Sequence, residues 1–318
     1  METLPLFEEP SSEFDRERLR GKLAALASEN VFLGTSSWKY EGWLGQIYSR
    51  ERYLARGKFS EKRFQAECLN EYAATFPIVC GDFTFYQFPS EAYWKRLFAS
   101  APGTLKYAFK APEEITVKMF PIHPRYGARA GDRNSSFLDA LLFQNAFLDL
   151  LQPYREQIAV LIFEFGAFPK QFYRDVGQFV EELDPFLAAL PPEFRYAIEI
   201  RNQDFLSAEY FSCLRRHRIA HVFNAWTRMP ELREQIELPD VYTADFTVSR
   251  ALLRRSRPYE EAVAKFTPYK EVRDPNPEVR QALRLLISRA RKRNEPSYIF
   301  VNNRLEGNAP QTIESIVD

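Results

Sequence analysis

The amino-acid sequence predicts an α/β protein built as a single (β/α)8 TIM-like barrel. Its 318 residues match the size of one such barrel with long loops. Short apolar and β-branched runs alternate with longer amphipathic segments, which is typical of βαβ units and a parallel sheet. The alternation yields eight strands, and no glycine-rich phosphate turn follows the first of them, which favours a closed barrel over an open sheet.

The predicted elements divide the chain into an N-terminal part and a barrel. Residues 1–29 are predicted to form a tail and a short helix over Phe14–Leu26, and residues 30–318 to form the barrel. Strands are predicted at Val31–Ser36, Ile78–Phe85, Leu105–Lys110, Ala159–Phe165, Arg195–Ile200, Ala220–Asn224, Phe246–Arg250 and Tyr298–Asn302. Helices are predicted at Glu61–Phe76, Ser90–Ser100, Ser136–Leu151, Phe172–Leu190, Ala208–His217 and Pro277–Asn294. Because proline lacks an amide hydrogen, Pro185 is expected to bend or break the fourth of these helices.

Two predicted βα connections are unusually long. Residues 39–60 follow the first strand, and residues 111–135 follow the third. Such loops emerge at the C-terminal end of a barrel, and long ones commonly carry function. Both loops are therefore expected to surround the barrel mouth.

Composition excludes several classes of protein. The 43 basic and 43 acidic residues cancel, so no overall field draws the protein to nucleic acid or a membrane. The longest apolar runs, such as Ala159–Phe163, are far shorter than the about 20 residues that span a bilayer. The N-terminus lacks the pattern of a secretory signal. Three cysteines far apart in sequence (Cys68, Cys80 and Cys213) indicate a reduced, cytoplasmic protein.

The sequence contains no motif of a known cofactor site. It lacks GxGxxG, GxxxxGK[ST], GxSxG, HExxH and CxxC, so we expect no cofactor. The three histidines and three cysteines lack the spacing of zinc ligands, and no metal is assigned. His217 and His221 are four residues apart, but they straddle a predicted helix end and the sixth strand. A weak magnesium site on carboxylates stays open.

Strand parity predicts a ring of polar side chains at the barrel mouth. Side chains of a barrel strand alternate between the interior and the helical layer. We take the interior face as the one with small residues deep in the barrel and polar residues at the strand end, where barrel active sites lie. The ring comprises Asp82, Tyr86, Lys110, Glu164, Glu199, Arg201, Asn224, Arg250 and Asn302. Alternatively, pairs such as Glu199–Arg201 or Glu164–Lys110 are salt bridges that close the top of the barrel.

Five segments resemble the motifs of the YecE-like family, the domain-of-unknown-function family 72. They are GTSSWKYEGWLGQIY (34–48), FTFYQFPS (83–90), FKAPEEIT (109–116), AIEIRNQDF (197–205) and VNNRLEGNAP (301–310). They occur in the family's order and cover nearly the whole chain. The resemblance implies a TIM barrel and brings no established activity. The family's polar residues carry over to Tyr86, Lys110, Glu199, Arg201, Asn302 and Asn303.

The chain also departs from the family pattern. Cys80 stands where the family usually has Glu, and Asp82 where it has Asn. Glu164 replaces a Gln, and Leu252 stands where a His is common. If the family's Glu and His carry its chemistry, this chain has lost or moved that chemistry. Cys80 itself is interpreted as a small buried residue rather than a nucleophile, because a reactive thiolate needs exposure and cationic neighbours.

The leading hypothesis is a cytoplasmic enzyme that acts on an anionic small molecule, phosphorylated or sugar-containing. Glu199 or Glu164 is expected to act as general acid/base, and Lys110 to polarise the anion. The substrate-binding residues are expected to be Asp82, Tyr86, Arg201, Asn224, Arg250, Asn302, Asn303 and Trp38. The reaction, of hydrolase or of isomerase or lyase type, and the oligomeric state are not predicted.

Two other functions stay open. A nucleic-acid binding or processing factor would use the aromatic residues of the first loop, the arginines of loop 123–134 and the basic clusters 215–218, 254–257 and 289–293. Most of these clusters lie at predicted helix ends, where a solvated cation is the simpler interpretation. A barrel that serves as a non-catalytic scaffold is the third possibility.

Overall fold

Eight parallel strands form a closed barrel in the computed structural model, which describes residues 14–318. The predicted N-terminal tail lies outside the described residues. The barrel strands are Val31–Thr35, Ile78–Gly81, Lys106–Lys110, Ile158–Phe165, Tyr196–Ile200, Ala220–Ala225, Thr247–Ala251 and Ser297–Val301. The first strand pairs with the eighth (Val31 beside Ser297) and with the second (Gly34 beside Ile78), which closes the sheet. The predicted α/β barrel is confirmed.

Helices cover the outside of the barrel. They span Arg16–Ser28, Glu61–Ala73, Glu91–Ala99, Glu113–Thr116, Ala140–Phe143, Asp149–Leu151, Val176–Ala188, Ala208–Arg216, Leu232–Ile236, Tyr259–Phe266, Pro277–Arg293, Asn303–Glu306 and Ala309–Val317. Several start at a side chain that accepts a hydrogen bond from the first turn, as Ser60 does from the Arg63 amide. The expected break at Pro185 does not occur, since one helix runs from Val176 to Ala188. No helix in residues 14–318 is long and apolar enough to cross a membrane.

The barrel interior and the helical layer have separate apolar cores. Small and aliphatic residues such as Cys80, Ala108 and Ala197 fill the interior. Larger aromatic residues pack between the strands and the helices. The parity prediction, with small residues on the interior face, is therefore confirmed. Polar residues that continue this face toward the C-terminal strand ends necessarily point into the barrel mouth.

The second strand is shorter than predicted. It ends at Gly81, and a single 3-10 turn follows over Asp82–Phe85. The Thr84 hydroxyl stabilises this turn, because it lies 3.0 Å from the Gly81 carbonyl and 2.7 Å from the Lys110 carbonyl. The strand parity assumed for Tyr86 is therefore wrong, and its side chain is 55% exposed at the rim.

Candidate functional site

Six charged side chains from five strand ends meet at the C-terminal mouth of the barrel. They are Asp82, Lys110, Glu164, Glu199, Arg201 and Arg250. Each strand carries its charged residue at or just beyond its last residues. The parity prediction brought these six residues together correctly.

Arg250 is the centre of this cluster. Its guanidinium lies 2.6 Å from the Glu164 carboxylate and 2.9 Å from Asp82, and it also binds Glu199. The side chain is 2% exposed, although it is one of the largest in the barrel. Three carboxylates from three strands are thus held by a single buried arginine.

Lys110 and Arg201 both bind the Glu164 carboxylate and are more exposed than Arg250. The Lys110 ammonium and the Arg201 Nη2 atom each lie 2.9 Å from the same oxygen of Glu164. Arg201 also binds Glu199 through Nε at 3.0 Å and Nη2 at 2.7 Å. Their side chains are 8% and 9% exposed, so both reach the edge of the mouth.

The electrostatics of the cluster keep its charges fixed. Burial opposes ionisation of Glu164, but Arg201, Lys110 and Arg250 outweigh it and hold the pKa of this carboxyl well below its usual range. Burial likewise disfavours the charge of Arg250, yet Glu199 and Asp82 raise its pKa well above the usual value. Glu164 and Arg250 therefore both stay charged at neutral pH, and Glu164 is a weak base and not an acid.

Access to solvent differs among the three carboxylates. Glu199 is fully buried beneath Arg201 and Arg250, Glu164 is 12% exposed, and Asp82 is 30% exposed. Only Asp82 and Glu164 can touch a ligand that enters from the mouth. Glu199, which the sequence places among the catalytic candidates, instead orients the two arginines.

Four other predicted residues lie in internal contacts. Asn224 is buried beside Arg250 and donates to the Ile200 carbonyl at 3.2 Å. The Asn302 side chain accepts from the Arg304 amide at 3.0 Å, and the Asn303 side chain accepts from the Ala309 amide at 2.7 Å. Trp38 is 4% exposed and packs edge-on against Phe83. Trp38, which was predicted to bind substrate, is thus part of an aromatic plug in the first loop.

Aromatic rings flank the two outer cations of the mouth. The Lys110 ammonium lies 3.8 Å from the centre of the Phe85 ring, and the Arg201 guanidinium lies 3.6 Å from the centre of the Trp226 ring. Sequence reasoning missed Trp226 because it stands two residues beyond Asn224, outside the predicted strand. Its position directly after a strand end was the available signal.

A further carboxyl, Glu113, lies in the connection after the third strand and was also missed. It is buried, accepts from the Tyr126 hydroxyl at 2.8 Å and pairs with Arg125 at 3.1 Å. Burial raises the pKa of Glu113 despite the opposing effects of Tyr126 and Arg125. Arg125 in turn lies over the Tyr86 ring, 4.6 Å from its centre. Loop 123–134 is therefore anchored to the mouth rather than free.

Cys80 lies deep in the interior, below Asp82. Its sulfur is 3.9 Å from the Asp82 carboxylate, and the residue is fully buried. Burial and this neighbouring carboxylate raise the pKa of the Cys80 thiol. The thiol is therefore protonated at neutral pH, in agreement with its interpretation as a small buried residue.

The basic clusters are largely neutralised by acidic neighbours. Arg216 pairs with Asp184 at 2.6 Å, Arg254 with Asp274 at 3.0 Å and Arg291 with Glu29 at 2.6 Å. One pair comes from each of the three clusters. These contacts account for the clusters as ion-paired surfaces.

Comparison with protein families identifies the barrel. The model of the family described as "Protein of unknown function DUF72" matches residues 32–318. The chain belongs to the DUF72 family. This assignment confirms the resemblance of the five sequence segments. The match begins one residue into the first barrel strand and ends at the last residue of the chain.

Two solved structures of DUF72 family proteins have a similar fold. One, from Thermotoga maritima MSB8, is 19% identical with a TM-score of 0.59, covering 91% of this chain and 99% of that chain. Another, from Enterococcus faecalis V583, is 13% identical with a TM-score of 0.58, covering 90% and 95%. At such identities the likeness shows the DUF72 fold alone. No curated protein matches the sequence.

Proposed function

We propose that this DUF72 protein is a cytoplasmic enzyme that binds an anionic small molecule, phosphorylated or sugar-containing, at the barrel mouth. Its chemistry would be acid/base catalysis by the mouth carboxylates. The three cysteines are free and buried, which fits a reducing compartment. The acid/base groups and the anion-binding groups come from different strand ends, as is usual for barrel enzymes.

The observation that carries this proposal is the position of Lys110 and Arg201. An ammonium has three donors and a guanidinium has five. In residues 14–318, the Lys110 ammonium contacts only Glu164 and the Phe85 ring, and Arg201 directs Nε and Nη2 at carboxylates. Both cations therefore have N–H groups left for a ligand at the solvent edge. A phosphate or carboxylate group matches these donors in charge and geometry.

The carboxylates differ in their exposure to solvent, and we assign their chemical roles on that basis. Asp82 is the most exposed, and its contact with Arg250 fixes its orientation, so we assign it as the general base. Glu164 stays ionised and positions Lys110 and Arg201 around the anion. Burial raises the pKa of Glu113, which makes this rim carboxyl the better proton donor. Acid/base catalysis needs one group that accepts a proton and another that donates one, and Asp82 and Glu113 would fill these two roles.

Replacing Lys110 with methionine tests the proposal. Glu164 would still pair with Arg201 and Arg250, so the melting temperature should stay within a few degrees of the wild type. Binding of inorganic phosphate and of sugar phosphates, followed by thermal shift and by calorimetry, should be lost. Lys106→Met is the matched control, because Lys106 lies on the same strand at the opposite end of the barrel.

Two results would overturn the proposal. The first is a wild-type protein that binds none of these anions at low ionic strength. The second is anion binding that survives Lys110→Met unchanged while the melting temperature falls steeply. That combination would mean that Lys110 only closes the barrel.

A further inference from the structure

A cluster of metal-binding side chains lies in the helical layer, outside the barrel mouth. Cys213 belongs to helix Ala208–Arg216, and His217 follows at its C-terminal cap. The two residues are four apart, so they share a face of the helix. Asp184, in the neighbouring helix Val176–Ala188, faces them. One potential ligand atom from each residue lies within 4.8 Å of the other two.

The distances in this cluster are close to those of a tetrahedral metal site. The Asp184 Oδ1 atom lies 2.9 Å from His217 Nε2 and 3.5 Å from Cys213 Sγ. Zinc binds nitrogen and oxygen ligands at about 2.0–2.2 Å and sulfur at about 2.3 Å, which puts tetrahedral ligand atoms about 3.3–3.8 Å apart. Small side-chain movements would therefore suffice to bind an ion.

We infer that Asp184, Cys213 and His217 form a binding site for a zinc ion, with the fourth position taken by water. Thiolate, imidazole and carboxylate are all ligands that bind zinc in proteins. The Asp184 side chain is 39% exposed and the His217 side chain 19% exposed, so an ion can reach them from solvent. The site is remote from the anion-binding mouth and does not depend on the proposed function.

Zinc would take the place of the protons that now form the hydrogen bonds from Cys213 and His217 to Asp184. In the metal-free protein the Cys213 thiol donates to the Asp184 carboxylate at 3.5 Å. Binding converts this thiol to a zinc thiolate and releases one proton to solvent. His217 now donates from Nε2 to Asp184, so this proton must move to Nδ1 before the Nε2 lone pair can bind zinc. The zinc charge is then balanced by one thiolate and one carboxylate.

Arg216 competes with the metal for the same carboxylate. Its Nη2 atom lies 2.6 Å from the Asp184 Oδ1 atom that would ligate zinc. The guanidinium must shift or transfer to the other carboxylate oxygen, and its positive charge opposes the incoming ion. Removing this charge should therefore tighten zinc binding, while removing a ligand should weaken it.

Metal titration of the full-length protein without a polyhistidine tag tests the site. Competition with a chromophoric chelator should show one zinc per chain. Cys213→Ser and His217→Ala should weaken binding by at least about 10–100-fold, the loss usual even for an outer-shell partner. Arg216→Gln should bind zinc more tightly. Cys68→Ser is the matched control, since this buried cysteine lies in another helix and should leave the affinity unchanged.

Cobalt provides a readout that a merely structural role would not produce. Cobalt bound here should give a thiolate-to-metal charge-transfer absorption that disappears in Cys213→Ser. No stoichiometric zinc binding, or binding that is equally strong in both ligand variants, would overturn the inference. So would a cobalt spectrum without the thiolate band. A zinc site here would also correct the sequence expectation that the cysteines and histidines lack ligand spacing.

Discussion

At the C-terminal end of the barrel, three cations and three carboxylates interlock with little access to solvent, whereas at the N-terminal end charged residues line an open cavity. That cavity measures about 600 Å³, and Lys106, Arg195 and Asp245 are part of its wall. Arg195 and Asp245 are exposed there, while Arg250 at the mouth is 2% exposed. The interior beneath the cavity is apolar, with Phe32 stacked on Tyr298.

The difference shows that this fold does not need ion pairs to close a barrel end. Burying an ion costs several kcal/mol, and apolar residues of similar volume are often as stable or more so. The chain fills the barrel interior with apolar residues at the N-terminal end, beneath the charged cavity wall, and with charged residues at the mouth. The charged residues of the mouth are retained despite this cost, and they lie at the end where barrels carry their active sites. This position supports a role for them in binding.

Substitution of one arginine at each end gives the largest expected contrast. Among residues 14–318, Arg250 is the only cation that pairs with Asp82, so Arg250→Met leaves Asp82 unpaired and Glu199 short of one partner. Its free energy of unfolding should fall by about 3–5 kcal/mol, as when a buried ion pair is broken. Arg195→Met, at an exposed position, should change it by less than about 0.5 kcal/mol. Urea denaturation measures the free energy of unfolding of both variants. Equal decreases in the two variants would contradict the contrast between the two ends of the barrel.

A smaller difference between the two ends of the barrel is expected in how the stability of the protein depends on acidic pH. Because the pKa of Glu164 is lowered in the folded state, its contribution to stability is present above the unfolded value of about 4.3. That contribution is lost as the pH falls toward the folded pKa. Between about pH 5 and pH 3 the wild type should therefore lose more stability than Glu164→Gln.

A carboxylate at the N-terminal end of the barrel provides the control for this experiment. Glu156 borders the N-terminal cavity, and its side chain is 88% exposed. Glu156→Gln should follow the wild-type dependence on acid. If Glu164→Gln also follows it, the three cations do not hold the Glu164 carboxylate in the way that the geometry indicates.

Most charged side chains of the mouth could be predicted from the sequence because the side chains of a strand alternate strictly between its two faces. Once eight strands were recognised, alternation alone placed Lys110, Glu164 and Glu199 on the interior face. The same rule placed Arg250, although an arginine at an interior position contradicts a simple hydrophobic pattern. The barrel closure followed from the same strands, whereas the family was indicated by the resemblance of five sequence segments.

The remaining features depend on contacts that no local pattern encodes. Tyr86 was misplaced because the Thr84 side chain ends the second strand early through a contact with the third. The sequence could not distinguish the roles of Glu199 and Asp82, because the exposure of each carboxylate depends on how the Arg250 side chain packs. Glu113 and Asp184 were missed because their partners, Tyr126 and His217, lie 13 and 33 residues further along the chain.

The most direct test of the contrast between the two ends is a crystal structure of the protein soaked in inorganic phosphate. If the mouth charges are kept for binding, phosphate should lie at the mouth within hydrogen-bonding distance of both Lys110 and Arg201. The N-terminal cavity should then hold no phosphate at the same concentration. Phosphate bound beside Arg195 and Lys106 instead, with the mouth ion pairs unchanged, would contradict this account.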